Sequence, residues 1–433
     1  MGRIHELKIR NYRGLVDVEI SPRRINILVG RNNSGKSSVL EALALHLCSR
    51  NGFLDSAGND LWRCLTRQRH YDPRFFVNTA ADRATVAVSD DTTKASLVVE
   101  RYRAGTPDNG RAGLIMNYYR ERVEEYLGRF LLRTPVKYVA RDRGTTLLSV
   151  IDAYGRQTRL DETDNVPDQE NEPDINEVLD TMRAPLLSAL IESEKMVLTR
   201  TEGEAVTDLY LHHRGIAKGE ERGSIVYRFA QEMRSPGPES VRGEGQVDPK
   251  CVFEFDRSVS PVEMNRLHDL VVERSRIQAT LGYLKQQIGY LTDIRKTDEG
   301  IQVFLEGQDG PLPLSSMGEG FIALLKTVFV SSLLDDGRVI IEEPEYALHP
   351  GFVDLLSNHM LTSSPGLQYF VSTHSNDFVR SMLEAADAME CLDDVLVLRL
   401  HKRLDTLNPD LEPMGGAEAL TAMREICLDL RGI

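Results

Sequence analysis

Short apolar runs open the chain and are separated by polar, turn-like residues. The runs His5–Asn11, Val16–Ile20 and Ile25–Val29 are divided by NYRG and SPRR, a pattern typical of short β-strands. Apolar residues then recur at helical spacing from Lys36 to Cys48, which predicts a helix. A glycine-rich loop lies between the third strand and this helix, so the pattern predicts a strand–loop–helix unit.

The next hundred residues mix strand and helix patterns. Strands are predicted at Thr85–Val88, Ala95–Arg101, Leu114–Tyr119 and Val136–Ala140, and a helix near Glu121–Leu132. Arginines are frequent between positions 101 and 143, but acidic residues are interleaved with them. The interleaving favours a solvated, salt-bridged face, with a nucleic-acid surface as the alternative.

Two polar segments and one long apolar periodicity follow. Asp161–Asp174 is acidic and contains prolines, which predicts an exposed or disordered loop. Ser235–Lys250 is rich in Gly, Pro and Ser and is predicted to be a second loop. From Pro261 to about Thr292 the apolar spacing predicts one helix of roughly eight turns.

The pattern in the last third of the chain predicts strand–loop–helix units. The predicted elements are a helix at Phe321–Leu334, strands at Arg338–Ile341, Tyr369–Ser372 and Val395–Leu400, and a helix at Ala417–Leu430.

Composition narrows the class of protein. Hydrophobic residues make up 41% of the 433 positions and charged residues 27%, an ordinary balance for a globular protein. No apolar run reaches the ~18 residues that span a bilayer, and MGRIHELKIR has no apolar signal-peptide core, so we expect a cytoplasmic protein. The net charge of −14 disfavours a dedicated DNA-binding domain but allows a local basic surface. The five cysteines form no CxxC pair, which argues against a zinc site or a disulfide framework.

The segment from Gly30 to Ser37 matches the pattern GxxxxGK[ST]. Glycines allow such a loop to wrap closely around phosphates, and backbone N–H groups with the next helix N-terminus hold the negative charge. Lys36 is positioned for the β- and γ-phosphates, and the Ser37 hydroxyl for Mg²⁺. The preceding strand and following helix supply the required context, so the segment predicts ATP binding.

The apolar strand RVII ends in two carboxylates, Glu342 and Glu343. Consecutive strand residues point to opposite sides, so only one of them can face a metal directly. We expect Glu342 to help hold Mg²⁺ through its water shell, and Glu343 to orient or deprotonate an attacking water. This is the pattern of a Walker B segment.

Two further polar loops complete the set. Ser315 and Gly318 precede an apolar helix, and Ser and Gly at a helix start form an anion site. A chain with its own phosphate loop does not need a second one, so we expect these residues to meet the γ-phosphate bound by another copy. His374 follows a short apolar strand and can hydrogen-bond the γ-phosphate or the attacking water.

Taken together, GRNNSGKSS, LSSMGEG, IIEEPEYALHP and VSTHS resemble the ABC-type ATPases of the OLD and RecF-like group. HELKIRNYRGL is similar to that group's opening strand, and the match is concentrated in residues 1–50 and 310–400. The resemblance implies an ATP hydrolase with an α/β fold: an ABC-type P-loop ATPase head with a mixed central sheet, an N-terminal antiparallel β subdomain and a helical insertion. It divides the chain into an N-terminal lobe (1–160), a mainly helical insertion (161–295) and a C-terminal lobe (296–433).

The resemblance also assigns roles to residues. It implies ATP and Mg²⁺ as cofactors, with Ser37 and Glu342 binding the metal. Glu343 and His374 are the implied catalytic pair, and His374 corresponds to the group's switch histidine. Ala347–His349 corresponds to the D-loop at a dimer seam, whereas the group's Q-loop glutamine has no convincing match near Tyr138–Arg143. The nucleotide-binding positions it implies are Asn33, Ser34, Gly35, Lys36, Ser37 and Ser38, with Ser315 and Gly318 acting on a second copy.

Partners follow from a departure from the group. Full-length OLD nucleases carry a TOPRIM domain after the switch histidine, and the stretch Asn376–Ile433 is too short for one. The expected protein is therefore a homodimer or higher homo-oligomer that controls a separate effector, a TOPRIM or HNH nuclease, in prokaryotic anti-phage defence, as in Septu or PARIS systems. The alternatives are a RecF- or SMC-like repair ATPase that clamps duplex DNA, and an interaction module with degenerate catalysis.

Overall fold

The computed structural model describes part of the chain in detail. The described residues are 2–49, 65, 73–102, 112–133, 138–142, 145–151, 157–163, 175–214, 225–234, 251–254, 260–402 and 408–425. The loop predicted at Ser235–Lys250 lies outside them, as does most of the loop predicted at Asp161–Asp174. No helix within these ranges is long and apolar enough to cross a membrane.

Helices and strands alternate along the described chain. The helices are α1 (Lys36–Ser49), α2 (Ala112–Arg133), α3 (Ile175–Glu192), α4 (Ile225–Arg234), α5 (Pro261–Glu273), α6 (Ile277–Gln287), α7 (Glu319–Ser332), α8 (Pro350–Thr362), α9 (Asn376–Ala388) and α10 (Gly416–Glu425). The strands are β1 (Ile4–Tyr12), β2 (Leu15–Ile20), β3 (Ile25–Gly30), β4 (Arg83–Asp90), β5 (Lys94–Tyr102), β6 (Tyr138–Asp142), β7 (Thr145–Ile151), β8 (Gln157–Thr163), β9 (Glu194–Glu202), β10 (Ala205–Arg214), β11 (Cys251–Glu254), β12 (Leu291–Thr297), β13 (Gly300–Leu305), β14 (Leu312–Pro313), β15 (Asp336–Glu342), β16 (Gly366–Thr373), β17 (Val395–Lys402) and β18 (Pro409–Gly415).

Two compact units share the chain. The first comprises Met1–Val99, Leu198–Leu209 and Gly243–Ile433, and the second comprises Glu100–Val197 and Tyr210–Arg242. All the predicted motifs lie in the first unit, whereas α2, α3, α4 and the sheet β6-β7-β8 lie in the second. The predicted boundaries at 160 and 295 stay a prediction, and the stretch between them contains strands β9, β10 and β11 as well as helices.

The central sheet of the first unit has the order β11-β15-β16-β3-β17-β18. The pairs β11–β15, β15–β16, β16–β3 and β3–β17 are parallel, whereas β18 runs antiparallel to β17. In a second sheet, β10-β9-β5-β4-β1-β2, strand β1 is antiparallel to both β2 and β4. The predicted α/β class, with a mixed central sheet and an N-terminal antiparallel sheet, is confirmed.

Capping side chains fix where the helices near the central sheet begin. Ser260 accepts a hydrogen bond from the N–H of Val262, and a proline occupies the first position of α5. Ser375 accepts from the N–H of Phe378 at the start of α9. Apolar faces of α7, α8 and α9 then pack with β3, β15 and β16 in one continuous core.

The long helix predicted from Pro261 to Thr292 is wrong. The chain forms α5 and α6, and β12 begins at Leu291. Ser275 has φ +57°, its N–H bonds the carbonyl of Val272, and the N–H of Arg276 bonds that of Val271. These bonds form a Schellman motif, which ends a helix and usually has glycine where Ser275 stands. The break leaves no sequence signal because both helices bury apolar residues at the same spacing.

The strand predicted at Leu114–Tyr119 is also wrong, because this segment belongs to α2. Ile115, Tyr119 and Val123 are buried at intervals of one helical turn. Arg122 donates to the Tyr118 hydroxyl one turn earlier, at 3.1 Å. Aromatic residues favour strands as a weak preference, and here burial of a helical stripe outweighs it.

One amide side chain joins the two large sheets. The Gln368 amide group donates to the carbonyls of Ile4 and Arg23, both at 2.8 Å, and its carbonyl oxygen accepts from the N–H of Ile4 at 3.0 Å. Gln368 is 2% exposed and lies on β16, whereas Ile4 begins β1. Nearby, the buried Arg338 of β15 lies 3.6 Å from the Asp90 carboxylate at the end of β4. Buried polar pairs therefore fix the N-terminal sheet to the central one.

We expect Gln368→Leu to lower the free energy of unfolding by about 1–3 kcal/mol, because it leaves buried backbone groups of Ile4 without a partner. Chemical denaturation measures the change. The matched control is Gln286→Leu, on the exposed face of α6, which should leave the stability nearly unchanged. Equal stability of the two variants would contradict the assigned role of Gln368.

A buried histidine predicts acid sensitivity. Burial lowers the pKa of His359 to about 4 from 6.5, and its Nε2 lies 2.6 Å from the Ser331 hydroxyl. Because the folded pKa is lowered, the unfolded state binds more protons between the two values, so stability falls as the pH drops from 6.5 toward 4. His359→Gln should reduce the difference in unfolding free energy between about pH 7 and about pH 5.

The control for this measurement is Gln286→Leu on the exposed face of α6, which removes no titratable group. It should leave the pH dependence of the unfolding free energy unchanged. An unchanged pH dependence in His359→Gln would mean that other groups carry the acid sensitivity.

Candidate nucleotide site

The parallel register of three strands brings the predicted motifs to one edge of the central sheet. Ser372 on β16 lies opposite Glu342 of β15 on one side and Leu28 of β3 on the other. The next residue, Thr373, lies opposite Val29. Parallel strands end at the same edge, so the phosphate loop, the carboxylates and the histidine meet there.

The loop after β3 has the backbone that close phosphate contact requires. Gly30 has φ +150°, and a Cβ there would lie 2.4 Å from the carbonyl oxygen of Leu400. Gly35 has φ +105°, and Asn33 adopts φ +62°. The two glycines are therefore fixed by backbone conformation and by the close approach of β17.

Lys36 lies buried at the start of α1. Its ammonium donates to the carbonyls of Gly30 at 2.8 Å and Arg31 at 3.0 Å, which closes the loop. Burial lowers the pKa of Lys36 to about 8, although the carboxylates of the Walker B segment, Glu342–Glu345, act in the opposite direction. The ammonium therefore lies within electrostatic reach of those acids.

The remaining loop serines have distinct positions. The Ser34 hydroxyl is buried and has no hydrogen-bond partner among the described residues. Ser37 and Ser38 are partly exposed in the first turn of α1, where backbone N–H groups face an incoming anion. Together with the glycine cradle, an unsatisfied buried hydroxyl fits a bound phosphate, and the Ser37 hydroxyl is an oxygen ligand of the kind that Mg²⁺ prefers.

The two carboxylates at the end of the Walker B strand differ in backbone conformation. Glu342 ends β15, and Glu343 lies outside the strand with φ +48°. The N–H of Glu343 donates to the carbonyl of Ser372 at 2.7 Å, and its carbonyl accepts from Tyr346 at 3.0 Å. A left-handed turn, rather than strand pleating, therefore sets the direction of Glu343.

His374 and Glu343 come together across this edge. The Nε2 of His374 lies 3.5 Å from Oε1 of Glu343, and the two side chains are 34% and 25% exposed. His374 is the one residue between the end of β16 and the Ser375 cap of α9. The predicted catalytic pair is thus assembled at the sheet edge.

The segment Leu314–Gly320, which matches the signature loop of ABC-type ATPases and is called the signature segment below, contacts a different part of the site. Gly318 has an extended backbone and caps α7, whose residue Gly320 meets the turn after Glu343: a Cβ on Gly320 would lie 2.5 Å from the Ala347 carbonyl oxygen. Ser315 is exposed and lines a cavity of about 600 Å³ with residues such as Met264 and Tyr346. The segment therefore touches the predicted D-loop and leaves Ser315 and Gly318 on the surface.

Sequence reasoning missed one acid of this site. Glu345 accepts hydrogen bonds on Oε1 from the Thr373 hydroxyl at 2.6 Å and from the N–H of His374 at 3.2 Å. The third glutamate of EEPE was the available signal, but neither its partners nor its direction can be deduced from the order of residues.

Two family models match the chain. The model of an AAA ATPase domain matches residues 3–98. A model described as "AAA domain, putative AbiEii toxin, Type IV TA system" matches residues 228–380. The two matches contain the phosphate loop and the Walker B and histidine segments, respectively.

Solved structures with a similar arrangement are heads of SMC proteins. An SMC head bound to the C-terminal winged-helix domain of ScpA has a TM-score of 0.47 at 12% identity, covering 96% of this chain and 99% of that one. The SMC head of Thermotoga maritima has a TM-score of 0.39 at 11% identity, with 95% and 99% covered. A Pyrococcus furiosus SMC head with ScpA reaches 0.42 at 12%, with 99% and 100% covered.

Two curated relatives come from Methanocaldococcus jannaschii. MJECL10 is 45% identical over 51 residues, which are 12% of this chain and 23% of that protein, so the chain spans less than a quarter of that relative. MJECL11 is 33% identical over 120 residues, which are 27% of this chain and all of that protein. The chain therefore belongs to the same family as MJECL11, and its AAA ATPase domains make it an ATP hydrolase.

Proposed function

We propose that the chain binds Mg²⁺–ATP at the edge formed by β3, β15 and β16, and hydrolyses it when two copies pair. The observation that carries the proposal is the convergence of Lys36, Glu343 and His374 at one sheet edge. In this assignment the nucleotide phosphates lie in the loop Asn33–Ser38, against the N-terminus of α1.

Ser37 and Glu342 would hold Mg²⁺, Glu342 through the water shell of the ion. Bound there, Mg²⁺ supplies charge neutralisation for the phosphate oxygens. The Lys36 ammonium adds a second positive charge. Its hydrogen bonds to the carbonyls of Gly30 and Arg31 hold it at the phosphate loop. Phosphate oxygens would replace those carbonyls as acceptors.

Glu343 orients the attacking water and accepts its proton in this proposal. The left-handed turn holds its carboxylate beside His374. The imidazole of His374 donates a hydrogen bond to the γ-phosphate oxygens and so reports their presence. Groups placed in this way act mainly by positioning and by electrostatic stabilisation.

Pairing of two copies is supported by the signature segment. Ser315 and Gly318 are exposed, and α7 begins with backbone N–H groups suited to an anion. Both residues would approach the γ-phosphate bound by the second copy. The D-loop, Ala347–His349, touches the start of α7 and would lie at the same seam.

In the cell, we assign the chain to control of a separate effector in prokaryotic anti-phage defence. The family description that refers to a putative AbiEii toxin of a Type IV TA system supports a role of this kind, as does the resemblance to OLD-type motifs. The proposed effector is a TOPRIM or HNH nuclease on another chain. Paired ATPase heads supply a nucleotide-dependent shape change for such a partner to recognise.

Clamping of DNA receives less support from the described residues. On α2, Arg122 pairs with Glu125 at 3.0 Å, and Arg183 of α3 pairs with Glu124 at 2.5 Å. These ion pairs fit the solvated, salt-bridged face expected from the interleaved charges.

We expect Glu343→Gln to lower phosphate release by about 100-fold or more, because the amide cannot accept a proton from water. ATP should still drive the variant into a dimer, since the phosphate loop is unchanged. Phosphate release and mass in solution, each with and without ATP and Mg²⁺, measure the two effects.

Glu384→Gln, on the exposed face of α9, is the matched control and should behave as wild type. If Glu343→Gln hydrolyses ATP at the wild-type rate, Glu343 is not the catalytic glutamate. If neither protein changes mass with ATP, the copies do not pair across the nucleotide.

A further inference from the structure

The Walker B turn carries a third carboxylate, Glu345, whose Oε1 bonds His374 and the residue before it. Its Oε1 accepts from the Thr373 hydroxyl at 2.6 Å and from the backbone N–H of His374 at 3.2 Å. Thr373 is fully buried at the end of β16. Two donors therefore fix the carboxylate against the residue that bears the imidazole and against its predecessor.

The hydrogen bonds continue beyond His374. The Thr373 hydroxyl accepts from the N–H of Ser375 at 2.9 Å, and the Ser375 hydroxyl accepts from the N–H of Phe378 at 3.1 Å. This chain of bonds runs from Glu345 into the first turn of α9. The N–H of His374 is thus held by Glu345 Oε1, and the N–H of Ser375 by the Thr373 hydroxyl that bonds the same oxygen.

The turn that presents Glu345 is itself held on two sides. Glu343 has φ +48° and Ala347 φ +61°, and the N–H of Leu348 donates to the carbonyl of Glu345 at 3.0 Å. The close approach of Gly320 to the Ala347 carbonyl places the start of α7 against this turn. A left-handed backbone at two non-glycine residues is retained only where its surroundings enforce it.

Withdrawing this carboxylate from water has an energetic cost. Burial raises the pKa of the Glu345 carboxyl above its ordinary value, although hydrogen bonds from Thr373 and His374 act in the opposite direction. A residue that only shaped the turn would not need a carboxylate, since an apolar side chain fills such space without the desolvation penalty.

We infer that Glu345 is a positioning residue for ATP hydrolysis: by accepting the Thr373 and His374 donors, it holds the His374 imidazole toward Glu343. The inference rests on the proposed role of His374 as the switch histidine. Glu345 itself touches neither nucleotide nor water in this assignment, and it acts through the 3.5 Å approach of His374 to Glu343.

Two substitutions of Glu345 separate its acceptor from its charge. Glu345→Met keeps the length but removes the acceptor, and it should lower kcat about 10- to 100-fold with little change in KM for ATP, because a displaced catalytic group costs rate rather than binding. Glu345→Gln keeps a carbonyl oxygen that can accept both bonds, and it should retain kcat within about threefold.

Thr373→Val probes the same contact from the other partner. It removes the hydroxyl that donates to Glu345 and should lower kcat in the same direction as Glu345→Met, whereas Thr373→Ser should retain it. Thermal melting and circular dichroism establish that each variant is folded. The control for loss of a carboxylate is Glu384→Met on the exposed face of α9, which should not change kcat.

A double-mutant cycle with His374→Ala tests whether Glu345 acts through the histidine. Glu345→Met added to His374→Ala should cause no further loss of kcat, because the group that it positions is already gone. The inference would be overturned if the kcat losses of the two single variants multiplied in the double variant. It would also be overturned if Glu345→Met kept wild-type kcat, or if Glu345→Met and Glu345→Gln lost kcat equally. Wild-type kcat in His374→Ala would instead refute the proposed role of His374.

Discussion

Parallel pairing of β15, β16 and β3 is the constraint on which the site depends. The register places Glu342, Ser372 and Leu28 side by side, so three segments far apart in sequence end at one edge. Each segment then leaves its strand in a different way: as a glycine loop, a left-handed turn and a helix cap. A shift of one residue in β15 would turn its side chains, including Glu342, to the opposite face of the sheet.

Charge is concentrated at that edge although much of it is withdrawn from water. Lys36 is buried, and burial lowers its pKa to about 8, while the nearby carboxylates raise it. Two loop carbonyls satisfy the ammonium. The low local dielectric that makes such an arrangement costly also strengthens interactions with a triphosphate, so the same burial serves binding.

The turn from Glu343 to Leu348 connects elements with different tasks. It orients the Glu343 carboxylate, bonds the end of β16 through Glu345, and contacts the start of α7 at Gly320. Packed elements of this kind move between discrete positions rather than deforming gradually. The turn thus joins the start of α7 to the residues around His374.

Periodicity and motif spacing predicted the strand–loop–helix around Lys36 and the strand before Glu342, because apolar patterns and glycine positions are local properties, and the resemblance of the motifs to known ATPases implied the class of fold. The sequence pattern did not predict the break at Ser275, because a Schellman turn without glycine leaves no signal. It also did not predict the helix at Leu114–Tyr119, because burial of a helical stripe outweighs the weak preference of aromatic residues for strands. Only the tertiary structure decided that Glu343 leaves the strand by a left-handed turn and that Glu345 bonds Thr373 and His374. Those contacts depend on strand pairing between residues about 30 positions apart, which no local pattern records.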